Sequence, residues 1–429
     1  MTSRRQHPRL RLLTRMLAAT WLASLAALAA AAAPTIPGLP AEDAALAAIE
    51  QDPLLLQARH AVEAARHGAA MQRQGSYEWT VGSTVQRRRA DGSPSQREWS
   101  AQLERTVRIG GKAELDRRLG DSSEALAQSQ WATARIEAAL RLLEGWLDWQ
   151  GARLSEQLLT EQLRLAEENV RAVALRHKAG DAARLDLRLA ESDASDMRRQ
   201  QGLAQTARAR AEAALRLHYP GLALQSTPLA DPGQLTMPVL SPADIDGHPR
   251  LAAASQALEQ ARLLAQRVRA DRMPDPTLGV FTSSEAGGRE RVTGISLSIP
   301  LSGSYREQAA RQAWQQVNVA QSAFDHQRRE LELQLSLLAQ EVGDSAARWK
   351  QSTDTANALQ EIAALTQKAY AAGEADVHAL LLAQRRALEA RSAAQSARND
   401  AMRAHMRLLI ETGQVWGLRA DGAQASSAE

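Results

Sequence analysis

Arg176–Leu187 reads RHKAGDAARLDL and Tyr370–Leu382 reads YAAGEADVHALLL. The two segments align, with His177-Lys178-Ala179-Gly180-Asp181 against Tyr370-Ala371-Ala372-Gly373-Glu374 and Leu185-Asp186-Leu187 against Val377-His378-Ala379. Each places a glycine between two runs of helix-forming residues. Glycine reaches the left-handed conformation that ends one helix and lets the chain reverse. Both segments are therefore expected to be the turns of helical hairpins, and the chain to contain the same hairpin twice.

The duplication extends outward from these turns. Asp52-Pro53 opens a helical run through Ala58, Ala61 and Ala65, and His248-Pro249 opens another through Ala254, Ala257 and Ala261. Each run gives way to alternating residues, around Tyr77–Arg89 and Thr277–Ser284, and then to Gly110-Gly111-Lys112 or Ser302-Gly303-Ser304. Agreement at four places in one order identifies two structural repeats, joined by a Pro/Gly-rich connector from Tyr219 to Pro242. No proline lies between Pro94 and Pro220 or after Pro300. Lys112 to Lys178 as one helix would reach roughly 100 Å, far beyond a compact domain. Leu140, Leu143, Leu147, Gly151, Leu154 and Leu158 recur three and four apart, the spacing of a coiled-coil seam.

The alternating stretches read as strands with one apolar and one polar face. Tyr77, Trp79, Val81 and Val85 alternate with Glu78, Thr80, Thr84 and Gln86; Trp99, Ala101, Leu103, Val107 and Ile109 form a second set, and Ile295, Leu297, Ile299 and Leu301 another. Their length suits membrane-spanning strands, and a soluble sheet packed on the helices is the competing reading. Four strands cannot satisfy their edges in a bilayer, where closure needs about eight or more. Spanning therefore requires oligomerisation, and three copies would supply about twelve strands. Tyr77, Trp79 and Trp99 are the candidates for aromatic residues at the membrane interface.

At the N-terminus, Arg4, Arg5, Arg9, Arg11 and Arg15 precede a Leu/Ala stretch from Met16 to Ala33, the pattern of a secretory signal cleaved after about Ala31 or Ala32. Its removal takes five of the 52 basic residues and none of the 49 acidic ones, leaving a net charge of −2. The sequence pI near 9.5 belongs to the precursor, and a nucleic-acid partner is not expected. Without cysteine there is no disulfide, thiolate metal site or lipidated N-terminal cysteine.

The expected organisation is a signal peptide at residues 1–32 and a first repeat at 33–218, with strands at about 76–90 and 97–109 and a hairpin at about 112–217 turning near 180. A connector at 219–242 leads to a second repeat at 243–412, with strands at about 277–284 and 291–301 and a hairpin at about 305–412 turning near 373; residues 413–429 form a tail.

This order, carried by the Arg176–Leu187 and Tyr370–Leu382 segments and by Gly294–Leu301 (GISLSIPL), resembles the TolC family of outer-membrane efflux proteins over nearly the whole mature chain. The resemblance implies a mainly α fold with a small β part. It also implies a homotrimer, with a 12-stranded β-barrel in outer-membrane lipid continued by a periplasmic α-helical barrel. Such a protein conducts substrate passively from an inner-membrane efflux pump and a periplasmic adaptor, the adaptor meeting the tips at Ala179, Gly180, Ala372 and Gly373. Glu104–Lys112 (ERTVRIGGK) resembles the heavy-metal branch of the family, the cobalt/zinc/cadmium type; drug efflux and type I protein secretion are the alternatives.

No enzyme constellation is found: there is no phosphate loop, Gly-x-Ser-x-Gly or His-Glu-x-x-His, and neither a cofactor nor a resident metal is expected. His60 and His67 share a helical face but lack further ligands. Asp181, Asp186, Glu374 and Asp376 cluster near the tips, where a ring tripled by symmetry would bias a periplasmic mouth toward cations. The plainer role, for Asp181 and Glu374 especially, is to complement helix dipoles. A soluble periplasmic coiled-coil scaffold or adaptor is the reading from another class; an adaptor would carry one hairpin between extensive β-domains, whereas this chain carries two.

Overall fold

The computed structural model describes residues 36–418, apart from residues 90, 93, 226, 227, 237 and 302. The expected signal peptide and the end of the tail lie outside the described residues. In chain order the elements are α1 (Glu42–Glu50), α2 (Pro53–Gln74), β1 (Thr80–Arg88), β2 (Gln96–Thr106), α3 (Lys112–Ala179) and α4 (Arg184–His218). After the connector come α5 (Pro242–Asp246), α6 (Pro249–Ala270), β3 (Thr277–Glu285), β4 (Glu290–Ser298), α7 (Ser304–Ala372) and α8 (Val377–Glu411).

Helices α3 and α7, with 68 and 69 residues, each reach roughly 100 Å. Each long helix packs against α4 or α8 along its tip half and against α2 or α6 along its sheet half, and α6 of the second repeat also crosses onto α3. The two openings are built alike. Asp52 caps α2, its Oδ1 accepting from the Leu54 and Leu55 amides, with Pro53 at the first helical position. His248 does the same for α6, its Nδ1 accepting from the Arg250 amide. With Nδ1 an acceptor, Nε2 carries the hydrogen and donates to Glu411 Oε2 at 3.0 Å.

The main core sits midway along the helices. Ile136, Leu142, Leu143, Trp146 and Leu147 of α3 meet Ala45 and Ile49 of α1, Leu229 of the connector and Met402, Met406 and Ile410 of α8. Val415, Trp416 and Leu418, within the expected tail, are buried in the same cluster. Trp146 Nε1 donates to the Gly38 carbonyl at 2.6 Å, fixing the N-terminal segment across the connector.

The four strands form one antiparallel sheet in the order β1-β2-β3-β4, leaving β1 and β4 with unpaired edges. Its attachment to the helices is ionic. Lys112, at the first position of α3 and 1% exposed, donates to Asp275 Oδ1 at 2.8 Å and to the Met273 carbonyl at 2.7 Å. Asp275, just before β3, also accepts from the Ile109 amide and from the Tyr77 hydroxyl. Around this pair Arg108 bonds Asp116 and the carbonyls of Gln72, Arg73 and Gln74 at the end of α2, while Arg267 bridges Asp116 and Asp271. Burial pushes the Asp275 carboxyl up, but the bonds from Lys112, Ile109 and Tyr77 outweigh it and hold the group below the usual carboxylate range.

Asp275→Ala should therefore destabilise the fold by about 3 kcal/mol, because it takes from a buried ammonium the closer of its two carboxylates and leaves the Ile109 amide and Tyr77 hydroxyl without their acceptor. Thermal unfolding checks this. An acid whose pKa is depressed on folding contributes stability above its unfolded pKa of about 4 and loses it as pH falls through the folded value. The Asp275→Ala deficit should accordingly shrink below about pH 4.

Candidate functional site

At the tips, α3 ends on Gly180 with φ +86° and α7 on Gly373 with φ +81°. In both, the amide after the glycine reaches back five residues: Asp181 donates to the Arg176 carbonyl at 2.8 Å and Glu374 to the Ala369 carbonyl at 2.9 Å. Ala179, Gly180, Ala372 and Gly373 are all exposed. The two tips lie side by side over a small core of Val173, Ala190, Tyr370, Val377 and Leu380, with the Arg176 guanidinium 4.9 Å from the Tyr370 ring centre.

The four acids divide into two kinds. Asp376 Oδ1 accepts from the Ala379 amide at 2.7 Å and caps α8, while Asp186, in the first turn of α4, reaches back with its Oδ2 to the Ala183 amide at 3.1 Å. Asp181 and Glu374 are exposed beside the turns. His60 and His67 are both exposed on α2.

The sheet has two unlike faces. Register places Val81, Leu103, Val280 and Ile295 in one row across all four strands. Val81 is 78% exposed and Ile295 86%, with Val85, Trp99, Leu278 and Leu297 also exposed on that face. On the other face Glu104, Gly279 and Ser296 share a row, and Glu285 stands opposite Glu290; Glu98 is paired there with Arg88. Among the described residues no helix is long and apolar enough to cross a membrane.

Of the three aromatic candidates, Trp79 and Trp99 are exposed on the apolar face, and the Arg105 guanidinium stands 5.5 Å from the Trp79 ring centre. Tyr77 is half-buried, its hydroxyl drawn to Asp275. Sequence reasoning missed the Lys112–Asp275 pair. Gly110-Gly111-Lys112 was legible as a helix start, but a partner 163 residues away leaves no local trace.

Residues 46–218 match the family described as Outer membrane efflux protein. No curated protein matches the chain. Among solved structures, the open-state MtrE outer membrane channel of Neisseria gonorrhoeae superposes with a TM-score of 0.74 at 18% identity, covering 88% of this chain and 89% of that one. The outer membrane protein VceC of Vibrio cholerae gives 0.72 at 14% identity, covering 86% and 95%, and the Campylobacter jejuni CmeC outer membrane channel 0.68 at 16%, covering 87% and 85%. The resemblance to TolC-type proteins is thereby borne out: by family over the first repeat, and by fold, mainly helical with a small sheet, over both.

A Cβ at Gly180 or Gly373 would meet nothing within 4 Å, so only the backbone conformation opposes a side chain there. Gly180→Ala and Gly373→Ala should each weaken their turn by about 1–2 kcal/mol, read as faster amide exchange at residues 173–190 or 370–380 without loss of the main core.

Proposed function

We propose that this chain is the outer-membrane channel component of an efflux system and acts as a passive conduit. The observation that carries this reading is the apolar row Val81–Leu103–Val280–Ile295, exposed on every strand of a sheet whose two edges are both open. Water tolerates a contiguous apolar face of this extent poorly, which argues against a soluble scaffold, whereas lipid solvates it once the edges are paired.

Three copies, β4 of each against β1 of the next, close twelve strands with the apolar face toward lipid and the polar face toward the lumen. The helices then continue the tube into the periplasm. The tips at Ala179, Gly180, Ala372 and Gly373 are free to meet a periplasmic adaptor, and through it an inner-membrane pump. Export follows from the N-terminal signal, removed near Ala31 or Ala32. A cationic cargo, heavy-metal ions among the candidates, is favoured by the polar face, where Glu104, Glu285 and Glu290 outweigh the basic groups. Asp181 and Glu374 would extend that bias to the periplasmic mouth.

Purified protein should require detergent and, after subtraction of bound detergent, have the mass of three chains; a monomer or dimer stable in water would overturn the reading. Reconstituted in planar bilayers, it should pass cations in preference to anions. Glu104→Gln should reduce that preference with the trimer intact, as reversal potentials under a salt gradient will show.

A further inference from the structure

Two guanidinium groups face each other across the β1–β2 ladder. Arg87 lies directly opposite Arg97, and both continue the apolar face, two residues beyond Val85 and Trp99. Arg291 of β4 shares this face, in the row that runs through Ser284 to Trp99. All three are exposed. Like charges directly opposite destabilise a ladder, and among the described residues no carboxylate comes within the 4.0 Å of an ion pair to any of the three. Arg88, between Arg87 and Arg89 but on the other face, is by contrast paired with Glu98 at 3.1 Å.

The position of these arginines identifies their partner. They lie at the loop end of the sheet, the end away from the helices, so the channel reading on which this inference rests places them at the outer surface of the membrane. Below them the face is apolar through Val85, Trp99, Val81, Leu103, Val280 and Ile295, and Arg105, in the row of Leu278 and Leu297, closes it at the helical end. Along β2, Arg97 to Arg105 spans roughly 27 Å, or roughly 21 Å when projected at a tilt of about 40°, so the arginines at its two ends bracket a stretch near the height of a barrel's apolar band. Arginine is tolerated on a lipid face only near the interface, where its stem lies along apolar surface and its head reaches the polar layer. Guanidinium groups bind phosphate through paired, charge-assisted hydrogen bonds. We propose that Arg87, Arg97 and Arg291 form a docking site on the outside of the barrel for the phosphate groups of an outer-leaflet glycolipid, which relieve the Arg87–Arg97 repulsion.

Native mass spectrometry of the detergent-purified trimer tests this with three probes: diphosphorylated lipid A, its dephosphorylated form and inorganic phosphate. The wild type should retain the diphosphorylated lipid about tenfold more tightly than the dephosphorylated one, and excess inorganic phosphate should not displace it. The Arg87→Gln/Arg97→Gln/Arg291→Gln variant should lose the preference while keeping its trimeric mass, and Arg105→Gln, at the other end of the same face, should keep it. Equal retention of the two lipids by the wild type overturns the proposal without recourse to any variant, as does an undiminished preference in the triple variant. Displacement by inorganic phosphate would make the site one for free anions and overturns it too. A chain soluble without detergent would instead fail at purification, and the channel reading would fall with it.

Discussion

The structure turns on a single buried pair, Lys112 with Asp275. The lysine opens the first long helix and the aspartate precedes the third strand, so the bond ties the first repeat to the second where sheet gives way to helix. A buried ammonium is tolerable only because its neighbours complete its coordination: Asp275 at 2.8 Å, the Met273 carbonyl at 2.7 Å and Asp271 at 3.2 Å. The same carboxylate holds the Ile109 amide and the Tyr77 hydroxyl, which come from the exit of β2 and the approach to β1. Three of the four sheet-to-helix crossings thus meet on one side chain, and the direction in which the sheet leaves the helices is set there. An apolar core at this level would not define that direction as well, since hydrophobic packing is non-directional and hydrogen bonds to a carboxylate are not.

Elsewhere the repeats keep a position and exchange its chemistry. Asp52 and His248 cap equivalent helices, each followed by proline, yet Asp52 turns its charge to Arg141 and His248 its Nε2 hydrogen to Glu411. Burial raises the Glu411 carboxyl, and the bond from His248 with Arg250 beside it more than reverses this. The backbone requirement, an acceptor for the free amides at a helix start, is common to both sites. The outward partner is free to differ because each pair is local to its own repeat.

What the sequence made legible follows the range of the interactions. Helix-ending glycines, proline caps, a leucine seam and two-residue alternation all act over a few residues, so the hairpins, the strands and their duplication could be read directly. The Lys112–Asp275 pair could not, nor could the division of labour among the tip acids. Asp181 and Glu374 sit where a helix dipole would favour them, but Asp186 and Asp376 are the ones whose carboxylates reach backbone amides: Asp376 from the extended position ahead of α8, and Asp186 from the first turn of α4 back to the Ala183 amide. Tyr77 shows the same limit: alternation places it on the apolar face, and a carboxylate distant in sequence draws its hydroxyl into the joint.

Closure links the remaining features. A four-stranded sheet with open edges and a bare apolar face is unstable in water and in lipid alike, for opposite reasons: water opposes the face and lipid opposes the edges. A ring of copies in a membrane removes both objections at once, since pairing β4 with the next β1 satisfies the edges and leaves the face where lipid wants it. The helices carry the corresponding signature below the sheet, with Tyr305, Val319, Leu333 and Leu337 exposed along α7. These fall outside any core of the single chain and are surface that such a ring would be expected to cover. As the channel proposed above, the chain would be incomplete by itself, since the conducting space is one that no single copy encloses.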